Sequence, residues 1–242
     1  MALRGGAFLA LWNDVDPARV AEYDDWHTRE HVPERVGVAG FLSGRRYVAA
    51  ERDVGRYFTL YELEALSALD GPAYRDVVDR PTPWSASMRP SLHHFQRHPC
   101  ATVYSAGAGV SGSIATCRFD LDASRGPFDA VSARAALAGV LACDGIASVH
   151  LGCATHDAAF PLRNDANAAG PADAARTPYV LLVEGIARGA LDRTAPRIAS
   201  ALQGLGAAAS PAATFDLAYA IRRDELPYPT AQRQPPRPPP PA

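Results

Sequence analysis

The sequence predicts an α+β fold built from two similar halves, and two observations lead to this prediction. The order strand, helix, strand, strand, helix, strand occurs twice, over residues 5–98 and again over 112–222. Short matches such as Gly40-Phe41-Leu42-Ser43 and Gly145-Ile146-Ala147-Ser148 fall at equivalent positions. The order β-α-β-β-α-β is the ferredoxin-like arrangement, in which helices cover one face of the sheet. We therefore expect two tandem ferredoxin-like units packed sheet to sheet as a pseudo-dimeric α+β barrel.

In the first half, residue types that favour turns and helix ends separate the periodic segments. Asp16 and Pro17 predict the start of the first helix, and Pro33 predicts its end, because proline disfavours helical geometry at the residue before it. A turn containing Asp53 and Gly55 predicts a hairpin. The expected elements are strands at 5–13, 41–50, 56–63 and 91–98, helices at 17–32 and from 72, and a loop at 81–84.

The second half repeats the order without repeating the polar residues of the first helix. Val131, Ala135 and Ala136 occupy the positions that correspond to Trp26, Glu30 and His31, so only the first half is expected to hold a site. The expected elements are strands at 112–121, 146–153, 178–186 and 214–222 and helices at 128–143 and 191–203. The predicted units are 1–98 and 99–226, followed by a Pro-rich tail at 227–242 that we expect to be disordered. The insertion at 154–177 has the length of a disordered loop or of a lid, and its polar composition favours the disordered loop.

Composition limits the partners. The net charge is -2 with both signs mixed along the chain, which indicates neither a nucleic-acid footprint nor a basic membrane-binding face. No apolar run is long enough for a signal peptide or a membrane span, so we expect a soluble cytoplasmic protein. Four cysteines without a C-x-x-C pair are expected to be buried free thiols. A small-molecule substrate is the expected partner, and self-association of the chains stays open.

The first helix carries ionisable groups on the stripe expected to face the core. At about 100° per residue, Val20, Tyr23, His27, His31 and Glu34 align, and Asp24 and Glu30 flank them. Ionisable groups on a buried face must be paired, hydrogen-bonded or engaged in chemistry. If the helix ends at Pro33, His31 lies in its last turn, where the helix dipole favours a protonated imidazole.

The first half contains the segment Trp26-His27-Thr28-Arg29-Glu30-His31-Val32-Pro33-Glu34, which is followed by Ala39-Gly40-Phe41 and a strand with Arg and Tyr. This combination resembles the dimeric α+β barrel superfamily, and its EthD-like members most closely. The resemblance covers both halves as fold and the first half as motif. It implies a barrel formed within one chain. The superfamily includes cofactor-free monooxygenases, lactone isomerases, polyketide cyclases and decarboxylases, and haem-handling enzymes, so the fold leaves the chemistry open.

A metal site is a second interpretation of the same helix. His27-Thr28-Arg29-Glu30-His31 fits the H-x-x-E-H pattern of zinc peptidases called inverzincins. That family needs a distant acidic ligand about 75 residues later, and no Asp or Glu occurs between Asp79 and Asp120. A divalent metal held by His27, His31 and Glu34 is the remaining metal hypothesis.

The function we predict is a cofactor-independent enzyme that acts on a small aromatic or polyketide-like carbonyl compound by isomerisation, cyclisation, decarboxylation or oxygenation. His31 is the expected general acid/base, because imidazole titrates near neutral pH. His27 is expected to support it, and Glu30 or Glu34 to orient or charge-balance it. The expected substrate contacts inside the barrel are Tyr23, Trp26, Glu34, Tyr47, Tyr61, Trp84 and His93.

The sequence also allows two other interpretations of the first helix. The first is a non-catalytic binder of a small ligand or of haem, with His31 or His93 as the iron ligand. The second is a purely structural helix that presents its charges to water. The position of the polar groups on the same stripe as Val20 and Tyr23 argues against the second, since a solvated helix would carry them on the opposite face.

Overall fold

A computed structural model gives the fold and describes residues 3–50, 55–155, 176–207 and 212–227. Three segments that carry predictions fall at least partly outside this part of the chain. They are the turn residue Asp53, residues 156–175 of the insertion and the tail from residue 228. Among the described helices, none has the length and apolar character needed to cross a membrane.

Eight antiparallel strands close into a single barrel. Their order is β1-β3-β2-β8-β5-β7-β6-β4, so the four strands of each half are neighbours. The halves join where β2 pairs with β8 and where β4 pairs with β6. The strands are β1 Ala7–Val15, β2 Phe41–Val48, β3 Tyr57–Leu63, β4 Leu92–Gly107, β5 Ser113–Asp122, β6 Ile146–Ala154, β7 Arg176–Gly185 and β8 Ala213–Arg222.

The predicted α+β class and the barrel are confirmed, whereas the origin of the halves as tandem ferredoxin-like copies stays a prediction. β4 has 16 residues, runs across the predicted boundary at 98/99 and pairs with strands of both halves. The helices are α1 Val20–Trp26, α2 Val32–Val36, α3 Pro72–Asp79, α4 Pro83–Met88, α5 Ala130–Leu141 and α6 Arg188–Gly204.

Alternation along the strands separates two apolar regions. In β1, Phe8, Ala10 and Trp12 face the barrel interior, where they pack with residues of both halves such as Val180 and Phe215. The intervening residues Ala7, Leu9 and Leu11 face outward and pack beneath α2 and α3. Helices α5 and α6 cover the outer face of the second half in the same way. The strands of both halves are therefore buried on the inner face of the barrel and on the outer face that the helices cover.

The barrel interior is filled by side chains and also holds a buried polar cluster. Arg45 on β2 donates to Glu184 on β7 over 2.8 Å, so this ion pair links the two halves. His150 Nε2 lies 3.3 Å from Glu184 Oε1, and His150 Nδ1 lies 2.9 Å from Ser105 Oγ. The Ser111 backbone N–H donates to the second carboxylate oxygen over 3.2 Å. This pairing is what makes a buried carboxylate tolerable.

The first helix does not end at Pro33, which corrects the sequence prediction. After α1, residues His27–His31 form one π-helical turn, in which the Val32 N–H donates to the His27 carbonyl, and α2 follows directly. Pro33 is the second residue of α2, near the start of a new α-helical segment where a missing N–H is tolerated. We call the continuous stretch of residues 20–36 the site helix.

A second correction concerns residues 81–84, which were expected to form a loop. Helix α4 begins at Pro83, and the Thr82 hydroxyl caps it by accepting the Ser85 N–H over 3.1 Å. Threonine before a proline at the first helical position is a common helix start. The short helix lies against α1 and brings Ser85 to the site helix.

Candidate functional site

The candidate site is a cavity between the outer face of the first-half sheet and the helices that cover it. It lies outside the barrel, which corrects the expectation of a ligand inside. A water-sized molecule can place its centre within about 50 Å³ of this cavity, and the whole empty space, counted with open solvent at the mouth, is about 630 Å³. The residues that line it are Leu9, Leu11, Asn13, Tyr23, Trp26, His27, His31, Arg35, Thr59, Tyr61, Tyr74, Ser85, Arg89, Leu92, Phe95 and Arg97.

The site helix supplies a continuous series of stacked rings to this cavity. The Tyr23 and His27 ring centroids are 4.9 Å apart, and those of His27 and His31 are 5.1 Å apart, both in stacked geometry. Trp26 lies 4.4 Å from His31. His27 and His31 are the first and last residues of the π-helical turn, and such turns are frequent at functional sites. The helix thus places both imidazoles against aromatic walls.

Four polar atoms of the cavity lining are buried and have no hydrogen-bond partner within the described residues. They are His27 Nδ1, His31 Nδ1, Thr59 Oγ1 and Tyr61 Oη. An unsatisfied buried polar group costs about 1–3 kcal/mol, and most buried polar groups in proteins are satisfied. Four such atoms around one cavity indicate that a ligand or water completes their bonding.

Both histidines are neutral in this environment. Burial lowers the pKa of His31 well below the usual 6.5, and the charges of Arg35, His27 and Arg89 lower it further. Burial also lowers the pKa of His27 well below 6.5, assisted by Arg46 and Arg35. The sequence had predicted a raised pKa for His31 from the helix dipole. That prediction is wrong, because the helix continues past His31 and buries it beside cationic side chains.

The tyrosine hydroxyls of the lining remain protonated. Burial raises the pKa of Tyr61 and of Tyr23 well above the usual value of 10. The Tyr23 hydroxyl donates to the Asn13 side chain over 3.2 Å, whereas the Tyr61 hydroxyl has no hydrogen-bond partner among the residues that the structure describes. Tyr61 is therefore available as a hydrogen-bond donor to an oxygen in the cavity.

The structure places the two predicted carboxylates of the site helix away from the cavity. Glu30 is buried and accepts hydrogen bonds from the hydroxyls of Thr82 and Ser85, the latter over 3.0 Å. Glu34 is also buried, and its Oε2 lies 3.4 Å from Arg35. Neither lines the cavity. The hydrogen bond from Ser85 to Glu30 instead links α4 to the site helix. A second link is the hydrogen bond that the Trp26 indole donates to Ser85 over 3.2 Å.

Three other predicted contacts also lie elsewhere. Tyr47 faces the barrel interior, because it alternates with outward-facing Arg46 along β2. Trp84 is buried behind Trp26 and donates to Glu22 over 3.1 Å. His93 is exposed and pairs with Asp16 at the far end of β1.

His93 and His94 are both exposed, although neighbouring residues of a regular strand point to opposite faces. A register shift in the pairing of β1 with β4 lies at this position, and His94 adopts a φ of 48°. A bulge of this kind redirects side chains that regular alternation would send to opposite faces. His94 contacts Asp14 over 2.8 Å.

Sequence reasoning missed the arginines of the site. Arg35, Arg89 and Arg97 line the cavity and come from α2, from the 3₁₀ turn after α4, and from β4. Arg35 and Arg97 each lie 5.9 Å from the ring centre of Tyr74, and Arg97 also donates to the Tyr74 hydroxyl over 3.1 Å. Of these three arginines, only Arg35 lies next to the helix motif in the sequence, where it follows Glu34.

Two histidines without a partner on Nδ1 resemble part of a metal site. Across the part of the chain that the structure describes, no three His, Cys, Asp or Glu side chains are grouped so as to hold a metal ion. The carboxylates of Glu30 and Glu34, which would supply the third ligand, are turned to other partners. The H-x-x-E-H pattern therefore lacks the geometry of a zinc peptidase site.

Comparison with known proteins identifies the fold. No family model and no curated protein matches this chain. Among solved structures, a proposed monooxygenase from Fusobacterium nucleatum aligns with a TM-score of 0.56 and 11% identity, over 90% of this chain and 95% of the other. An anthrone oxidase-like protein aligns with a TM-score of 0.58 and 10% identity, over 93% and 97% of the two chains.

A chlorite dismutase variant from Candidatus Nitrospira defluvii gives a TM-score of 0.53 and 9% identity, over 95% of this chain and 97% of the other. Likeness at this level of identity shows a shared fold. The chain therefore has the α+β barrel architecture of these proteins, and its chemistry must be argued from its own residues.

Proposed function

We propose that this protein is an enzyme that removes a proton from carbon next to a carbonyl group in a small aromatic compound. The observation that carries the proposal is His31, a neutral imidazole in the wall of an aromatic cavity, whose buried Nδ1 has no hydrogen-bond partner in the described part of the chain. A neutral imidazole accepts a proton at neutral pH without first losing one. A positioned base of this kind contributes typically about 10²–10⁴-fold to the rate.

The hydroxyls on β3 complete the proposed chemistry. Removal of the proton places negative charge on the carbonyl oxygen, and that charge needs hydrogen-bond donors in a site shielded from water. Tyr61 and Thr59 are two residues apart on the strand, so both point to the cavity, and neither hydroxyl has another partner within the described residues. Trp26 and Tyr23 provide the apolar walls that hold the aromatic part of the substrate.

Oxygenation is the outcome we propose for the resulting enolate. The similar structures named as a proposed monooxygenase and as an anthrone oxidase-like protein support it over isomerisation, cyclisation and decarboxylation. In the balanced reaction, a CH₂ group and one O₂ give a C=O group and one water molecule. The electrons come from the substrate, so the scheme needs no cofactor. We therefore propose a cofactor-free mechanism, and we propose that the chain is related to the EthD-like proteins.

The test uses anthrone and the smaller ketone 2-indanone, both of which carry an acidic CH₂ group. Under nitrogen, the protein should accelerate exchange of the CH₂ protons with D₂O, and under air it should produce the new ketone with uptake of O₂. His31→Gln should reduce exchange by about 100-fold or more. His93→Gln is the matched control, because His93 is exposed on the outside of the barrel. Exchange by His31→Gln at the wild-type rate would remove His31 as the base.

A second candidate function is binding of haem without the chemistry above. The observation that favours it is again the neutral His31, because neutral imidazole is a common axial ligand of haem iron. His31 would hold the iron, and Arg35 and Arg97 could contact the propionates. The iron would supply redox chemistry when bound. Titration with haemin should then give a Soret band that is lost in His31→Gln, and an unchanged spectrum in the wild type would exclude this candidate.

A further inference from the structure

The cavity has an unusual balance of charge. Three of the residues that line it are arginines, and the lining contains no aspartate or glutamate. The two carboxylates nearest in sequence, Glu30 and Glu34, are buried outside the lining and contact Thr82, Ser85 and Arg35. The surface that a ligand would meet is therefore positively charged.

Two of the three arginines, Arg35 and Arg97, lie around one ring. The guanidinium groups of Arg35 and Arg97 each lie 5.9 Å from the centre of the Tyr74 ring, so they are at most about 12 Å apart, twice that distance. Arg35 is only 6% exposed. Each guanidinium has five N–H donors, so Arg35 can contact Glu34 over 3.4 Å and also bind an anion in the cavity. Guanidinium groups bind carboxylates with paired, directional hydrogen bonds, which makes arginine the usual residue for this purpose.

The charges of the same arginines also act on the histidines, where they add to the effect of burial. Arg35 lowers the pKa of both His27 and His31, and Arg89 lowers that of His31. The part of the shift that comes from the arginine charges is the part that favours a negative charge on a ligand at the same place.

We propose that the ligand of this cavity is an anion, and specifically an aromatic compound with a carboxylate held by Arg35, Arg89 and Arg97 near Tyr74. The inference rests on the proposed function for the position of the reacting carbonyl, which lies at Tyr61, Thr59 and His31. It adds a second recognition point at the other side of the aromatic walls. The carboxylate fixes the orientation of the substrate, so that the acidic carbon meets His31.

The test compares probes that differ in charge and share their shape. Binding of 2-naphthoate and 2-naphthamide, and of the smaller benzoate and benzamide, is measured by calorimetry at pH 7. We expect the carboxylate of at least one pair to bind ten-fold or more tightly than its amide, and this preference should shrink as salt is raised. Equal binding of acid and amide, or no binding of either carboxylate at 5 mM, would overturn the proposal.

Variants then assign the preference to the arginines. Arg97→Gln and Arg89→Gln should each weaken carboxylate binding about ten-fold and leave amide binding unchanged. Arg29→Gln is the control, because Arg29 lies on the site helix but faces solvent and contacts Asp25. Circular dichroism shows whether each variant folds, and the salt dependence of the wild type tests the proposal even if one variant does not. Retention of full carboxylate preference in both folded variants would contradict it.

The two proposals can fail separately. His31→Gln should lose proton exchange and keep the preference for carboxylate over amide, since His31 is not one of the groups that hold the anion. Loss of the preference with intact exchange would reject the anionic ligand alone. Intact preference without any exchange in the wild type would reject the proposed reaction alone.

Discussion

At the residue scale, the neutral state of His31 determines how the protein should respond to pH. Its pKa is lowered below 6.5, so the base is unprotonated throughout the neutral range and is protonated only as the pH falls well below 6.5. We therefore expect kcat/KM to be constant from about pH 6.5 to 8 and to fall on the acid side alone. NMR titration of the His31 ring gives the same pKa directly.

Removal of one cation should shift that profile in a defined direction. Arg35 is the largest charged contributor to the lowered pKa of His31, so Arg35→Gln should raise this pKa and move the acid limb to higher pH. Arg29→Gln should leave the titration unchanged, because its side chain is exposed on the outer side of the site helix. A His31 pKa above 6.5 in the wild type would contradict the assignment of a neutral base.

The residue scale also shows what the sequence could reveal about the site. Three members of the predicted stripe, Tyr23, His27 and His31, line the cavity together, because helical periodicity is a local property, whereas Val20 and Glu34 do not line it. Arg89, Arg97 and Thr59 could not be found in this way. They reach the cavity from separate elements, and only the tertiary structure brings those elements together.

At the element scale, Thr82 fastens α4 to the site helix. Its hydroxyl caps α4 through the Ser85 N–H and donates to buried Glu30. We expect Thr82→Val to lower the free energy of unfolding by about 2 kcal/mol, because it removes the cap and one donor to a buried carboxylate. Urea unfolding measures this change. Thr82→Ser keeps the hydroxyl and should recover most of the loss, and equal stability of the valine and serine variants would show that the hydroxyl is unimportant.

The π-helical turn is a second element with a testable consequence. Deletion of Thr28 would remove the extra residue of the turn and rotate one end of the site helix against the other by about 100°. The two imidazoles could then no longer face the cavity together. We expect the shortened protein to lose proton exchange, whereas Thr28→Ala should retain it, because the backbone turn is unchanged. Wild-type exchange in the deletion variant would mean that the turn has no functional role.

Local rules explain why the helix ends were harder to predict than the strands. Alternating apolar residues predicted all eight strands within a few residues of their observed ends, except that β4 continues to Gly107. Pro33 was misread because a proline normally stops a helix whose hydrogen bonds keep α-helical spacing, and here a π-helical turn precedes it. No residue pattern in the segment announces that turn.

At the scale of the whole molecule, the ion pair of Arg45 with Glu184 links the halves through the barrel interior. Removing one partner leaves an uncompensated buried charge, so Arg45→Met should lower the free energy of unfolding by about 3–5 kcal/mol. The double variant Arg45→Met with Glu184→Gln should recover part of this loss. Chemical denaturation measures both, and additive losses in the two single variants and the double variant would show that the pair is not coupled.

The order of the elements predicted the barrel but not the polar cluster inside it. The order β-α-β-β-α-β, given twice, was enough to predict an α+β barrel, because each sheet had one uncovered apolar face. The buried polar cluster inside was not predictable. Its members Arg45 and Glu184 are separated by 139 positions in the sequence, and neither departs from the pattern of an ordinary strand residue.

The position of the cavity outside the barrel has a consequence for how new ligand preferences can arise. The hydrogen bonds that close the barrel belong to the strands, whereas half of the residues that line the cavity belong to α1, the π-helical turn, α2, α3, α4 and the 3₁₀ turn after α4. Substitutions in these helical segments can reshape the wall without changing strand register or the packed interior. Ligand range and barrel stability are therefore largely separable. Directed evolution aimed at new substrates should start with residues 20–36 and 83–89 and leave the strands fixed.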